Sequence, residues 1–156
     1  MYIKKIQQPA NYPDNSIFDG YNESMTDTYS CNYLNTQKVL WGPGGFYMHA
    51  TQTITLSEPI SKQKNGIVLV WTNYENGTAQ NNGINYFFIP KKYVELHPGM
   101  GHGMLMIKGW DGNIGKKYVY ISDTQISGYA KNGQEITENG IKWVNNNYVL
   151  RYVLGV

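Results

Sequence analysis

Two tryptophans beside turn residues are the side chains in this sequence best suited to binding chemistry. Trp41 precedes a glycine, and Trp110 is followed by Asp111 and, two residues later, by Asn113. An indole ring can cover the apolar face of a sugar while Asp and Asn side chains bind its hydroxyl groups. Trp41, Trp110, Asp111 and Asn113 are therefore candidate glycan-binding residues. For each tryptophan taken singly, packing at the end of a β-domain core is the preferred interpretation, because large aromatics dominate core energetics.

The other polar motifs do not predict a reaction or a metal site. His97 and His102 are five residues apart in a glycine-rich stretch, which is not the usual spacing of metal ligands. Asp111 begins a short Asp-Gly-Asn sequence, but the twelfth residue of a calcium loop would be Ser122 instead of glutamate. Because no nucleophile, base and orienting group can be named together, we predict a non-enzymatic protein without a metal ion or cofactor.

The composition limits the class of protein. A chain of 156 residues with a net charge of +2 and scattered basic residues is typical of one globular domain and not of a nucleic-acid-binding protein. Cys31 is the single cysteine, so an intrachain disulfide is excluded. The N-terminus lacks an apolar signal core, and no apolar run approaches the roughly 20 residues of a membrane helix. These features predict synthesis in the cytoplasm without membrane insertion.

Short apolar segments separated by turn residues predict the elements that would position these side chains. Ile67 to Trp71 is apolar at every position, which is typical of a strand in the middle of a core. Tyr47 to Leu56 has the β-branched composition of a long strand. Residues 37–156 are therefore predicted to form an all-β domain, a β-sandwich or a jelly-roll or barrel-like fold of about 8–10 short antiparallel strands.

Residues 1–36 differ from the remainder of the chain. They are polar, contain Pro9 and Pro13, and show no sustained period of a strand or a helix. We predict a loop-rich N-terminal arm in this segment. The arm either attaches the domain to a partner or wraps around its own domain.

Four segments of the chain carry a family resemblance: 40–71, 85–99, 117–128 and 140–156. Within them, the strings TITLSEPIS (53–61) and VLRYVLGV (149–156) are the most specific. In this order the segments resemble a C-terminal module of tail and baseplate proteins from siphophages that infect Gram-positive bacteria. The resemblance covers about three-quarters of the chain. It does not extend to residues 1–38.

The resemblance implies a structural protein of the virion tail, made in the host cytoplasm, with a fold like that of lactococcal-type receptor-binding proteins. It implies other tail or baseplate proteins as partners and a possible homotrimer, and it carries over no catalytic residues. Two alternatives remain open. The first is a host-adhesion module that recognises a Gram-positive cell-wall saccharide, and the second, less favoured, is a cell-wall hydrolase.

Overall fold

The computed structural model describes residues 37–108 and 112–156. The chain divides into a unit Met1–Thr36, which contains the predicted arm and lies outside the described residues, and a unit Gln37–Val156. The second unit is an all-β domain, as predicted. The strands are β1 (Lys38–Trp41), β2 (Thr53–Thr55), β3 (Gly66–Glu75), β4 (Thr78–Ala79), β5 (Asn85–Pro90), β6 (Met100–Ile107), β7 (Ile114–Ile121), β8 (Gln125–Ser127), β9 (Glu135–Glu138), β10 (Ile141–Val144) and β11 (Tyr148–Gly155).

Within residues 37–108 and 112–156 all strand pairs are antiparallel, and they form three sheets. A five-stranded sheet has the order β1-β11-β3, with both β4 and β5 pairing to β3. A four-stranded sheet has the order β2-β8-β7-β6, and β9 and β10 form a separate hairpin. One short helix, α1 (Lys91–Leu96), joins β5 to β6, and 3-10 turns occupy Ile60–Lys62, Ala130–Gly133 and Asn145–Asn147. None of the helices in the described ranges is long and apolar enough to span a bilayer.

The central strand β3 organises the core. Ile67, Leu69 and Trp71 are fully buried, and they pack with buried residues of both larger sheets. Burying Ile67 and Leu69 contributes about 1.5–3 kcal/mol each relative to leaving the side chain in water. The prediction of a core strand at Ile67–Trp71 is confirmed, and the strand extends to Glu75.

The predicted long strand from Tyr47 to Leu56 is wrong, because only Thr53–Thr55 forms a strand. A turn interrupts the segment: the backbone N–H of Gln52 donates to the His49 carbonyl at 2.8 Å, and the Gln52 side chain accepts from the His49 N–H at 2.8 Å. Met48 has a positive φ of 57° and a fully buried side chain. Burial of Met48 and the local hydrogen bonds therefore override the β-propensity of this segment.

An asparagine side chain joins the edges of the two larger sheets. Asn85 at the start of β5 donates from Nδ2 to the Ile107 carbonyl at 3.2 Å, and its Oδ1 accepts from the Ile107 N–H at 3.1 Å. Within the described residues β5 and β6 are both edge strands. The Asn85 amide thus occupies the last backbone donor and acceptor of β6, and we call this contact the Asn85 seam.

Candidate functional site

A groove on the outer face of the β6–β7 pair is a concave site with a volume of about 620 Å³. The side chains of β7 alternate between the two faces of the sheet: Val119 and Ile121 are fully buried, whereas Tyr118 and Tyr120 are exposed. We call this site the tyrosine groove and define it by six of the side chains that line it: Lys116, Tyr118, Tyr120, Tyr129, Lys131 and Glu138.

Two glycines of β6 make room for the tyrosine rings. Gly101 pairs with Tyr120 and Gly103 pairs with Tyr118, so the outer face opposite both tyrosines carries no side chain. A Cβ atom at Gly101 would overlap the ring of Tyr118, because that ring lies across the glycine. The sheet backbone at these glycines is therefore the support on which Tyr118 rests.

The three tyrosines form a stepped aromatic surface. The Tyr118 and Tyr120 ring centroids are 5.4 Å apart at an interplanar angle of 77°, and those of Tyr118 and Tyr129 are 5.6 Å apart at 62°. These are edge-to-face contacts, which aromatic pairs prefer. Tyr118 forms the floor and the other two rings stand steeply beside it, each with 37–38% of its surface exposed. A flat apolar floor between rings that carry hydroxyl groups matches the two chemical faces of a sugar.

The end of the groove beyond the tyrosines is charged. Glu138 accepts from Lys116 through one carboxylate oxygen and from Lys131 through the other, the latter at 2.8 Å. These hydrogen bonds lower the pKa of Glu138 to about 2, and the bond with Lys116 has the larger effect. The Lys116 ammonium also lies 4.6 Å from the ring centroid of Trp143. The carboxylate thus holds two ammonium groups side by side at neutral pH.

Asparagine side chains replace a missing strand beside this part of β7. Asn145 Oδ1 accepts from the Lys116 N–H at 2.8 Å, and Asn132 Oδ1 accepts from the Tyr118 N–H at 2.9 Å. Asn132 Nδ2 also donates to the carbonyls of Tyr118 at 2.8 Å and Met48 at 2.7 Å. Both asparagines are about 1% exposed. They fix the backbone that carries the groove side chains Lys116 and Tyr118.

Lys117 is buried under the groove on the opposite face of β7. Its ammonium donates to the carbonyls of Asn132 at 2.6 Å and Tyr47 at 3.2 Å, and it lies 5.2 Å from the ring centroid of Trp71. Burial places the pKa of Lys117 well below its usual value. The ring faces and the carbonyl oxygens partly offset the cost of burying this group.

The low pKa of Lys117 predicts how stability changes with pH. The unfolded chain binds more protons at this position than the folded chain, so stability increases as pH rises from the lowered pKa toward the ordinary value of 10.5. We expect the unfolding free energy of the wild type to rise relative to that of Lys117→Met between pH 7 and pH 9.5 in urea titrations. Lys62→Met, a substitution of an exposed lysine, serves as the control. If the difference in unfolding free energy between the wild type and Lys117→Met is the same at pH 7 and pH 9.5, the lowered pKa of Lys117 is contradicted.

The structure places the candidate residues Trp41 and Asn113 apart. Trp41 is half-buried against the core, its ring lies on Gly44, and Phe46 is 5.4 Å away between centroids. The Asn113 carbonyl accepts from the Tyr148 hydroxyl at 2.9 Å. Trp41 pairs near the end of β11, whereas Tyr148 begins that strand.

The other two candidate residues, Trp110 and Asp111, lie outside the described residues. Their glycan-binding role stays a prediction, as do those of Trp41 and Asn113.

The two histidines considered as metal ligands contact a tyrosine. The rings of His97 and His102 each lie 4.8 Å from the Tyr93 ring between centroids. Burial lowers the pKa of His102. Across residues 37–108 and 112–156, no group of three or more His, Cys, Asp or Glu side chains is arranged to hold a metal ion.

No model of a known protein family matches this chain, and no curated protein matches it. The resemblance to siphophage tail modules therefore stays a prediction.

The tyrosine groove was missed from sequence, although part of its signal was present. Tyr118 and Tyr120 alternate with Val119 and Ile121 in the sequence, which is a strand pattern, but the glycine-rich stretch that contains Gly101 and Gly103 is typical of a loop and not of the facing strand. Pairing Gly101 and Gly103 with the tyrosines would have predicted an aromatic outer face. Tyr129, Lys131 and Glu138 come from other elements, and no local pattern predicts that they meet β7.

Proposed function

We propose that this chain is a non-enzymatic component of a siphophage tail or baseplate, and that its β-domain attaches to a cell-wall saccharide of a Gram-positive host. The observation that carries the binding role is the tyrosine groove. Three contacting rings provide an apolar surface for a sugar, and lysine, glutamate and tyrosine side chains around them provide hydrogen-bond donors and acceptors.

The tail location is supported by the resemblance and by an all-β fold of the kind it implies.

The charged residues of the groove are also better explained by binding than by hydrolysis. Glu138 is the one carboxylate among the lining residues, whereas glycoside hydrolysis ordinarily requires a pair across the cleft. We therefore retain the virion protein with a binding role over the wall hydrolase.

Removing the floor of the groove should abolish adhesion. We expect Tyr118→Ala on multivalent beads to lose retention on host cell wall, because it removes the stacking ring. A single site should weaken by about tenfold, and many sites on one bead multiply the loss. The matched control is Tyr86→Ala, a tyrosine on β5 that is 65% exposed and does not line the groove.

The same assay tests the sequence candidates and the proposal itself. Trp41→Ala and Trp110→Ala report whether either tryptophan contributes to the saccharide site. Retention that survives Tyr118→Ala in a folded sample would remove the groove from the binding role. Absence of the protein from purified virions of its parent phage, tested by mass spectrometry, would contradict the tail location independently.

Multiple copies would be needed for firm attachment if each groove binds weakly. A homotrimer, or several copies on one tail, would raise avidity by about 10²–10⁴ without any new contact. Sedimentation of the full chain distinguishes a trimer from a monomer that gains avidity only on the virion.

A further inference from the structure

The charged end of the tyrosine groove lies next to its aromatic floor. Lys116 and Tyr118 are two residues apart on the outer face of β7, so their Cα atoms are about 7 Å apart along the strand. This spacing is comparable to one sugar ring with its substituent. Lys131 reaches the same end from the 3-10 turn Ala130–Gly133 and meets Lys116 at Glu138. All three side chains line one groove, so a ligand that stacks on Tyr118 and extends along β7 toward Lys116 meets the two ammonium groups.

The aromatic end is not built for a cationic ligand. A cage for a quaternary ammonium group leaves space between ring faces that surround the cation. Here Tyr118 is in direct edge-to-face contact with both Tyr120 and Tyr129, at centroid distances of 5.4 and 5.6 Å. The rings therefore leave no space between them for a cation, while the partly exposed Tyr118 ring remains accessible to a sugar.

We propose that the saccharide bound in the tyrosine groove carries an acidic group, and that Lys116 and Lys131 bind this group while Tyr118 stacks on the sugar ring. A carboxylate and a phosphate share the required chemistry, since both present oxygen atoms that accept hydrogen bonds from ammonium groups. The inference rests on the proposed function and adds the charge class of its ligand.

Glu138 positions the two lysines without neutralising them. Two ammonium groups and one carboxylate give this cluster a net charge of +1. Each ammonium carries three donors, and the side chains of Lys116 and Lys131 are 38% and 49% exposed. Both lysines can therefore donate to an acidic group while they keep their bonds to Glu138.

The experiment uses the full chain and one wall polysaccharide in three forms. The first form is intact, the second has its carboxyl groups reduced to alcohols, and the third has its phosphodiesters removed by hydrofluoric acid. We expect the affinity measured by calorimetry to fall about tenfold for one treated form, because charge-assisted hydrogen bonds are lost. The form that loses affinity identifies the acidic group as a carboxylate or a phosphate.

Variants test whether the two lysines are responsible. The double variant Lys116→Met/Lys131→Met should bind the intact polysaccharide at least as weakly as the wild type binds the treated form, because it also leaves the Glu138 carboxylate unpaired. The control is Lys92→Met on α1, where the lysine pairs with Glu95 outside the groove and no change is expected.

The outcomes separate this inference from the proposed function. Equal wild-type affinity for all three forms, with binding still lost in Tyr118→Ala, would overturn the acidic ligand and leave the saccharide-binding role intact. If the double variant loses as much affinity on treatment of the polysaccharide as the wild type does, the acidic group binds away from Lys116 and Lys131. This result would also overturn the inference. No binding of any form by the folded chain would overturn both.

Discussion

Asn132→Ala should destabilise the domain by about 3–4 kcal/mol, although asparagine is usually a surface residue. The side chain is 1% exposed and serves three backbone groups: the N–H and carbonyl of Tyr118 and the carbonyl of Met48. The Met48 carbonyl keeps its bond from the Tyr129 N–H, so the N–H and the carbonyl of Tyr118 are the two groups left without a partner. Each such group costs about 1–3 kcal/mol, and water entering from the groove side recovers part of this. Urea unfolding monitored by tryptophan fluorescence measures the change.

The control for this substitution is Asn81→Ala, at an exposed position, which should change stability by no more than about 0.5 kcal/mol. A loss below about 1 kcal/mol in Asn132→Ala would show that the amide does not replace a strand beside β7. The substitution should also weaken saccharide retention even under conditions where the variant stays folded, because the Tyr118 backbone would no longer be fixed.

Gly128→Ala should lower the thermal midpoint by at least about 6 °C, which corresponds to a loss of about 2–3 kcal/mol in a domain of this size. A Cβ atom at this position would overlap the backbone carbonyls of Met48 and His49. The surrounding backbone cannot move away freely, since the Gly128 N–H donates to the Gln52 carbonyl at 3.0 Å and the Tyr129 N–H donates to the Met48 carbonyl at 2.9 Å.

Scanning calorimetry of Gly128→Ala is best compared with that of Gly45→Ala. At Gly45 the nearest atom to an added Cβ is the side chain of Ala79 at 3.8 Å, an ordinary contact. Both substitutions add one methyl group, so a difference between their thermal midpoints measures the effect of the close approach of Gly128 to the Met48 and His49 carbonyls. Equal midpoints would mean that the segment around Met48 shifts without cost.

The sequence predicted those parts of the fold that depend on local pattern. The apolar run Ile67–Trp71 is a core strand, and the alternation from Tyr118 to Ile121 defines the faces of β7. The all-β class follows from many such segments. The segment around His49 was not predictable in this way, because burial of Met48 and the bonds of Gln52 depend on the finished fold.

The candidate site was harder to predict than the fold. Tryptophans were favoured because a single large ring beside a turn is visible in sequence. The groove instead depends on three smaller rings and on Asn132. Asn132 is separated in sequence by 14 residues from its partner Tyr118 on β7 and by 84 residues from its partner Met48. Asparagines in turns are expected to serve their own turns. Here the fold uses two of them as hydrogen-bond partners for a distant strand.

The Asn85 seam affects how neighbouring copies of the domain can pair through their sheet edges. An open sheet edge offers unpaired backbone groups to a neighbouring molecule and promotes strand addition between copies. At the seam, the last donor and acceptor of β6 are already bound by the Asn85 amide. If many domains are displayed on one tail, this corner should resist edge-to-edge polymerisation at high local concentration. The asparagine would then block strand addition at Ile107, the last residue of the β6 edge.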